Sequence, residues 1–255
     1  RKLGGMIKSD CVNAASNDKF SMRCKCASEF IGTFALVFFS TITCASSGGD
    51  LLTRVALTNG FAVFVLIVAL ERISGAHINP AFSWASALVG KLPLEFLPAY
   101  IFSQVLGSVL GAYTTYIVLG EEQFRRIKAG AVFLSTTPYQ GLVIEALFTA
   151  ILFFIILGAT DRQAPQHLTM APLVIGLAVS VNIFAACPFV MLSMNPARAF
   201  GPHLVGAMVL EQALDGWWSG HFVFVLGPFI GGSLTVAAHK AFHRLAISPS
   251  HSPQK

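Results

Sequence analysis

Six apolar blocks separated by polar breaks set the pattern of this chain, near residues 28–47, 52–71, 94–119, 139–159, 168–187 and 218–240. Each holds about the 20 residues that an α-helix needs to cross a hydrocarbon core. The breaks are explicit. "GEEQFRRIKAG" parts the third block from the fourth, and "TDRQAPQH" parts the fourth from the fifth. The pattern predicts six membrane-spanning helices.

Two further apolar stretches are too short to span. One runs from Asn79 to Gly90, the other from Asn195 to Val209. Twelve helical residues reach about 18 Å, little more than half of a core about 30 Å thick. These stretches predict helices that enter the membrane only halfway.

The short stretches begin alike, "HINPAFS" and "SMNPARA", which points to an internal repeat. Asn195 lies 116 positions after Asn79. Glu145 after Glu29, Gly176 after Gly60 and Gly227 after Gly111 share that offset. Each copy, about 27–119 and about 139–243, holds three spans and one half-span. Three spans are an odd number, so the second copy starts from the opposite face. The copies are therefore inverted about an axis in the membrane plane, and the two half-helices meet N-terminus to N-terminus near the midplane.

Composition agrees with this and narrows the function. Hydrophobic residues make up 55% and charged residues 11% of 255, against about 25% charged in soluble chains. There is too little polar surface to cover a soluble body. The net charge of +5 reads as basic residues at helix ends and tails, not as a nucleic-acid surface. Residues 1–26 are polar and basic, have no signal-type apolar core, and read as a tail. Residues 244–255 read as a second tail. An even number of spans puts both tails on one side, and their Lys and Arg residues place that side in the cytoplasm of a plasma or intracellular membrane. Cys11, Cys24, Cys26, Cys44 and Cys187 follow no framework or zinc-ligand spacing, so neither a disulfide nor a metal site is expected. No cofactor and no nucleophile–base set is expected either.

The polar breaks carry the chemistry. Irregular backbone at membrane depth persists only where protein buries it or water lines it. Asn is a good helix N-cap and Pro suits the first helical position, so Asn79-Pro80-Ala81 and Asn195-Pro196-Ala197 are helix starts. Each Asn oxygen can cap its own helix, which leaves the NH2 group free to donate. Two facing starts bring two donors and two positive dipole ends, each of about half a charge, to one place. A water giving its lone pairs to both amides has its hydrogens turned along the path. It cannot complete a proton wire, and the dipole ends oppose cations.

The paired "NPA" motifs, within "SGAHINPA" and "NPARAFGP", resemble the aquaporin (major intrinsic protein) family over about residues 27–243. The resemblance implies an all-α membrane protein with six transmembrane helices and two half-helices in two inverted repeats. It also implies a homotetramer in membrane lipid whose subunits each carry a pore. That family has a second constriction beside the paired Asn. Counting from the motifs assigns Asn59, Ile183, Leu192 and Arg198 to it. Orthodox water channels carry an aromatic residue and a His where Asn59 and Ile183 stand, and glycerol channels carry an Asp where Ala199 stands. "MNPARAFGP" with Ile183 looks closest to the aquaporin-8-type branch, associated with water, ammonia and hydrogen peroxide. That branch has His at the Asn59 position and small residues where "VMLS" stands.

Other polar residues have structural readings. Glu29 and Glu145 would each accept backbone N–H groups, from "SGAHI" and "CPFVML" respectively, and His77 would brace its loop. The alternative reading of Asn59 is an interhelical hydrogen-bond residue instead of a pore residue. Gly107 with Gly111 and Gly227 with Gly231 form two GxxxG pairs, and Gly60 and Gly176 mark a crossing of spans two and five. Cys187 is a candidate mercurial target. The expected function is a passive channel for water and small neutral solutes such as ammonia and hydrogen peroxide, excluding protons and ions. The alternative is a glycerol/urea channel. A secondary transporter would need ionisable coupling residues beyond Glu29 and Glu145, and a closed-pore structural protein draws support only from the bulky "FVMLS".

Overall fold

The computed structural model describes residues 20–46, 48–161, 169–186, 189–210 and 216–247. Its helices are α1 Met22–Ile42, α2 Leu51–Ser74, α3 Pro80–Leu88, α4 Leu97–Arg126, α5 Pro138–Ala159, α6 Ala171–Ala186, α7 Pro196–Val209 and α8 Val223–Ile247. Five of them, α1, α2, α4, α5 and α8, are long and apolar enough to cross a membrane. In α6, 16 residues are described, and 162–168 before it and 187–188 after it lie outside the described residues. The short stretches are helices α3 and α7, of 9 and 14 residues.

Helix starts follow capping chemistry. Ser21 caps α1 by accepting the Cys24 N–H. Asp50 caps α2 by accepting from the N–H groups of Leu52 and Thr53. Thr137 and Gln140 form a reciprocal capping box on α5, with Pro138 at its first position. Bonds from the Thr53 hydroxyl and then its N–H hold the Asp50 carboxyl below the usual carboxylate range.

Two boundaries differ from the sequence reading. The first span starts at Met22, inside the stretch read as tail, because Arg23 and Lys25 ride on the first turn and mask its helical character. The third span runs on to Arg126 through Gly120, whose φ of 74° and ψ of 167° kink the helix. Beyond the kink, Glu121–Arg125 at 2.6 Å and Glu122–Arg126 at 2.9 Å make i,i+4 ion pairs. The charges that looked like a break there stabilise a helical turn, each pair by a few tenths of a kcal/mol.

The helices pack in two symmetry-related sets. α1 lies along α4 as α5 lies along α8, and α2 packs on α6 across the pseudo-axis. Glycines set these approaches. A Cβ on Gly111 would stand 2.5 Å from the Phe34 carbonyl of α1, and one on Gly107 would overlap the Phe30 carbonyl. Gly227 and Gly231 face α5 at Glu145 and Ala146 in the same way. Gly60 and Gly176 face each other, each 2.5 Å from the other's carbonyl oxygen once a Cβ is built. Gly60→Val is therefore expected to destabilise the fold by about 1–3 kcal/mol through overpacking. Thermal unfolding of the detergent-solubilised protein checks it, and an unchanged midpoint would mean that α2 and α6 can move apart freely.

Half-helix α3 packs against α8, and α7 against α4. The Trp217 indole N–H donates to the His203 carbonyl at 2.9 Å and ties down the C-terminal half of α7. The segment before α5 reaches the loop before α7 through a Leu134–Val190 bridge.

Candidate functional site

The site grows from the N-termini of α3 and α7. Asn79 and Asn195 are N-caps with extended backbone, at φ −157° and −149°. The Asn79 oxygen accepts from the N–H groups of Ala81 and Phe82, and the Asn195 oxygen from those of Ala197 and Arg198. Pro80 and Pro196 fill the first helical positions, where no N–H is needed.

The amide nitrogens differ from the expectation that they stay wholly free. Asn79 Nδ2 donates to the Met194 carbonyl at 2.8 Å, and Asn195 Nδ2 donates to the Ile78 carbonyl at 2.8 Å. Each amide thus holds the residue before the opposite cap. An amide nitrogen carries two hydrogens, so one on each Asn lies outside these two bonds. The reciprocal bonds fix the two helix starts against each other.

Those carbonyls are aimed by unusual backbone. Ile78 and Met194 have φ of 44° and 55°, and Ala76 has φ of 48°. A β-branched residue in the left-handed region is a genuine outlier and costs on the order of 1–3 kcal/mol. Hydrogen bonds to two buried carboxylates hold the shape. Glu29 accepts from His77 N at 2.9 Å and Ile78 N at 2.6 Å. Glu145 accepts from Ser193 N at 2.6 Å and Met194 N at 2.9 Å. The second pair of donors lies just past "CPFVML", in the "SM" before Asn195. In both repeats the donors are the two residues before the cap.

Several partners of this frame were not singled out from the sequence. Glu29 also accepts from the Ser74 hydroxyl at 2.6 Å and from Gln104 Nε2 at 2.8 Å. Tyr100 donates its hydroxyl to the Ser74 carbonyl at 2.8 Å, and the Ser108 hydroxyl donates to the Ala197 carbonyl. The available signal was a polar residue inside an apolar span, which is uncommon and carries a role. His77 Nδ1 bonds the Ser83 hydroxyl at 3.1 Å, and its ring lies between Phe82 and Tyr100.

Arg198 sits on the first turn of α7 and is buried. Its Nη1 donates to the Gly130 carbonyl at 3.4 Å. Ile183 and Leu192 are buried in one apolar cluster with Val190, Met194 and Ala199. Asn59 is buried and bonded at both ends of its amide, to Ser40 of α1 and to the Val55 carbonyl. The interhelical bond weighed for Asn59 is thus present. Cys187 lies outside the described residues, and Cys24, Cys26 and Cys44 are free thiols. Among the described residues, no cluster of metal-ligating side chains occurs.

Two inverted repeats whose half-helices meet cap to cap define a helical membrane channel. The chain belongs to the major intrinsic protein family, whose family model matches residues 16–239. It is 37% identical over 219 residues to aquaporin NIP1-1 of Arabidopsis thaliana, covering 81% of this chain and 69% of that one. It is 34% identical over 230 residues to aquaporin TIP2-1 of the same plant, covering 86% and 87%. Aquaporin-8 of Notomys alexis is 35% identical over 212 residues, covering 81% and 77%. The fold matches the X-ray structure of the aquaglyceroporin from Plasmodium falciparum with a TM-score of 0.79 at 23% identity, over 88% of this chain and 98% of that one. The protein is an integral membrane channel and not an enzyme.

Proposed function

We propose that this channel passes water and small neutral solutes, ammonia and hydrogen peroxide among them, while excluding protons and ions. It works as a homotetramer in membrane lipid, with one pore per subunit and both termini in the cytoplasm. Asn59, Ile183, Leu192 and Arg198 form its selectivity filter. The observation that carries the reading is the reciprocal Asn79–Asn195 pair, fixed by two bonds of 2.8 Å. One remaining N–H on each amide donates to a passing solute. Two helix N-termini beside them, each worth about half a positive charge, repel cations.

The solute range rests on the filter walls. Ile183 and Leu192 are aliphatic and share a cluster, so these two proposed walls offer no donor. Ammonia, with one acceptor lone pair against two in water, loses less where a donor is missing and crosses at less disadvantage. Stopped-flow light scattering on proteoliposomes tests the channel itself. Osmotic shrinkage no faster than in empty vesicles would remove it. A parallel panel of ammonia, hydrogen peroxide, urea and glycerol tests the range, and glycerol flux above that of ammonia and peroxide would favour the glycerol/urea alternative.

Ile183→His adds a donor to the proposed filter. One hydrogen bond of about 1 kcal/mol changes relative permeation about fivefold. Ammonia and peroxide fluxes relative to water are expected to fall by that factor. Unchanged ratios would place Ile183 outside the filter.

A further inference from the structure

Ser40 departs from the usual behaviour of a hydroxyl within a helix. Ser and Thr in helices commonly donate to the carbonyl four residues back, as Thr33 does to the Glu29 carbonyl at 2.8 Å and Thr115 to the Gly111 carbonyl at 3.1 Å. Ser40, only 1% exposed, instead donates across to Asn59 Oδ1 on α2 at 2.5 Å. The orientation of the amide follows from its other bond. Asn59 Nδ2 lies 2.8 Å from the Val55 carbonyl, which can only accept. The atom facing Ser40 is therefore the oxygen, and Ser40 must be the donor. One turn further on, the Thr43 and Thr58 hydroxyls bond at 3.1 Å and keep α1 and α2 in register.

We propose that Ser40 is a positioning residue that sets the solute selectivity of the pore by holding the Asn59 amide back against α1. The inference rests on the assignment of Asn59 to the filter. With the oxygen capped by Ser40 and one amide hydrogen on Val55, the Asn59 wall presents little polar surface and leaves the passage wide on that side. Without the Ser40 hydroxyl, the buried oxygen has lost its donor. An unsatisfied buried acceptor is costly, and pore water is the nearest replacement. The amide then turns toward the passage, makes it narrower and more polar, and favours water over other solutes.

The test is the flux panel on reconstituted Ser40→Ala, Asn59→Ala, the double variant, Ser40→Thr and Asn59→Phe. Ser40→Ala is expected to lower the ammonia-to-water and urea-to-water ratios about fivefold, the change expected from one hydrogen bond. Adding Ser40→Ala to Asn59→Ala is expected to change nothing further, because the two residues act as one unit. Ser40→Thr keeps the donor and is expected to keep wild-type ratios. If Ser40→Ala does not fold, Ser40→Cys is used, which has nearly the same shape and only a weak donor; its ratios are expected to shift the same way. Unchanged ratios in Ser40→Ala beside a clear shift in Asn59→Phe would overturn the inference and leave the filter assignment standing. An equal shift in the Asn59→Ala background, or alanine-like ratios in Ser40→Thr, would also overturn it. No shift in Asn59→Phe would remove the filter assignment, and the inference with it.

Discussion

Glu29→Ala is expected to abolish water conduction together with the folded channel. The carboxylate accepts four hydrogen bonds, from Ser74 Oγ, His77 N, Ile78 N and Gln104 Nε2. Two of these donors are backbone N–H groups at membrane depth, where no bulk water replaces the lost partner. Leaving each unsatisfied costs about 1–3 kcal/mol, so the pair alone costs about 2–6 kcal/mol. The Ser74 and Gln104 donors lose the same acceptor, which brings the loss for all four to about 4–12 kcal/mol, comparable with a total stability of about 5–15 kcal/mol.

The damage also reaches the pore. Ile78 holds a left-handed backbone conformation, with φ of 44°, against its own steric preference. Its N–H is fixed by Glu29 and its carbonyl by Asn195. Without Glu29, the residue relaxes and takes the Asn195 acceptor with it. The yield of monodisperse protein, the unfolding midpoint and vesicle shrinkage read the effect together. Glu145→Ala provides the internal comparison, because the two Glu145 bonds found go to Ser193 and Met194. Its loss of stability should be the smaller of the two. A Glu29→Ala protein with wild-type midpoint and flux would mean that the loop holds its own shape.

The half-helices were legible in the sequence because one tripeptide carries both the cap and the first-turn Pro, and because the motif recurs at a fixed offset with Glu29 and Glu145. What stayed illegible has physical reasons. The bond from Asn195 Nδ2 to the Ile78 carbonyl depends on a left-handed Ile, which local preference argues against. Only the carboxylate beneath the loop makes it tenable. The Gly130 carbonyl that meets Arg198 is backbone, and no residue type announces it. The Ser40–Asn59 bond joins two polar residues that fall on facing helices only once α1 and α2 pack. At the span ends, Arg23, Lys25, Glu121 and Arg125 read as breaks because charge was taken for the absence of helix. In the fold they are the solvated first turn of α1 and the last turn of α4.

Arg198→Val is expected to leave water permeation near wild type while raising urea and glycerol permeation and admitting a proton leak. The guanidinium carries five donors, and the Gly130 carbonyl is its one protein acceptor found among the described residues. Valine removes both the bulk and the charge. With Arg198 in the proposed filter, removing bulk widens the passage there for solutes larger than water. Removing charge lowers the barrier to protons and cations. A unit charge about 4 Å away contributes about 4 kcal/mol at an effective dielectric constant of about 20, or about a thousandfold in rate. That is the ceiling for the leak, because the N-termini of α3 and α7 still point at the path and supply a second barrier in series. A pH-sensitive dye trapped in proteoliposomes, with potassium and valinomycin clamping the potential, measures the leak. The solute panel measures the widening. If urea and glycerol rise without a proton leak, exclusion resides in the paired helix ends, held by the bonds from Asn79 to the Met194 carbonyl and from Asn195 to the Ile78 carbonyl. If neither changes, Arg198 is a brace for the Gly130 loop and lines no filter.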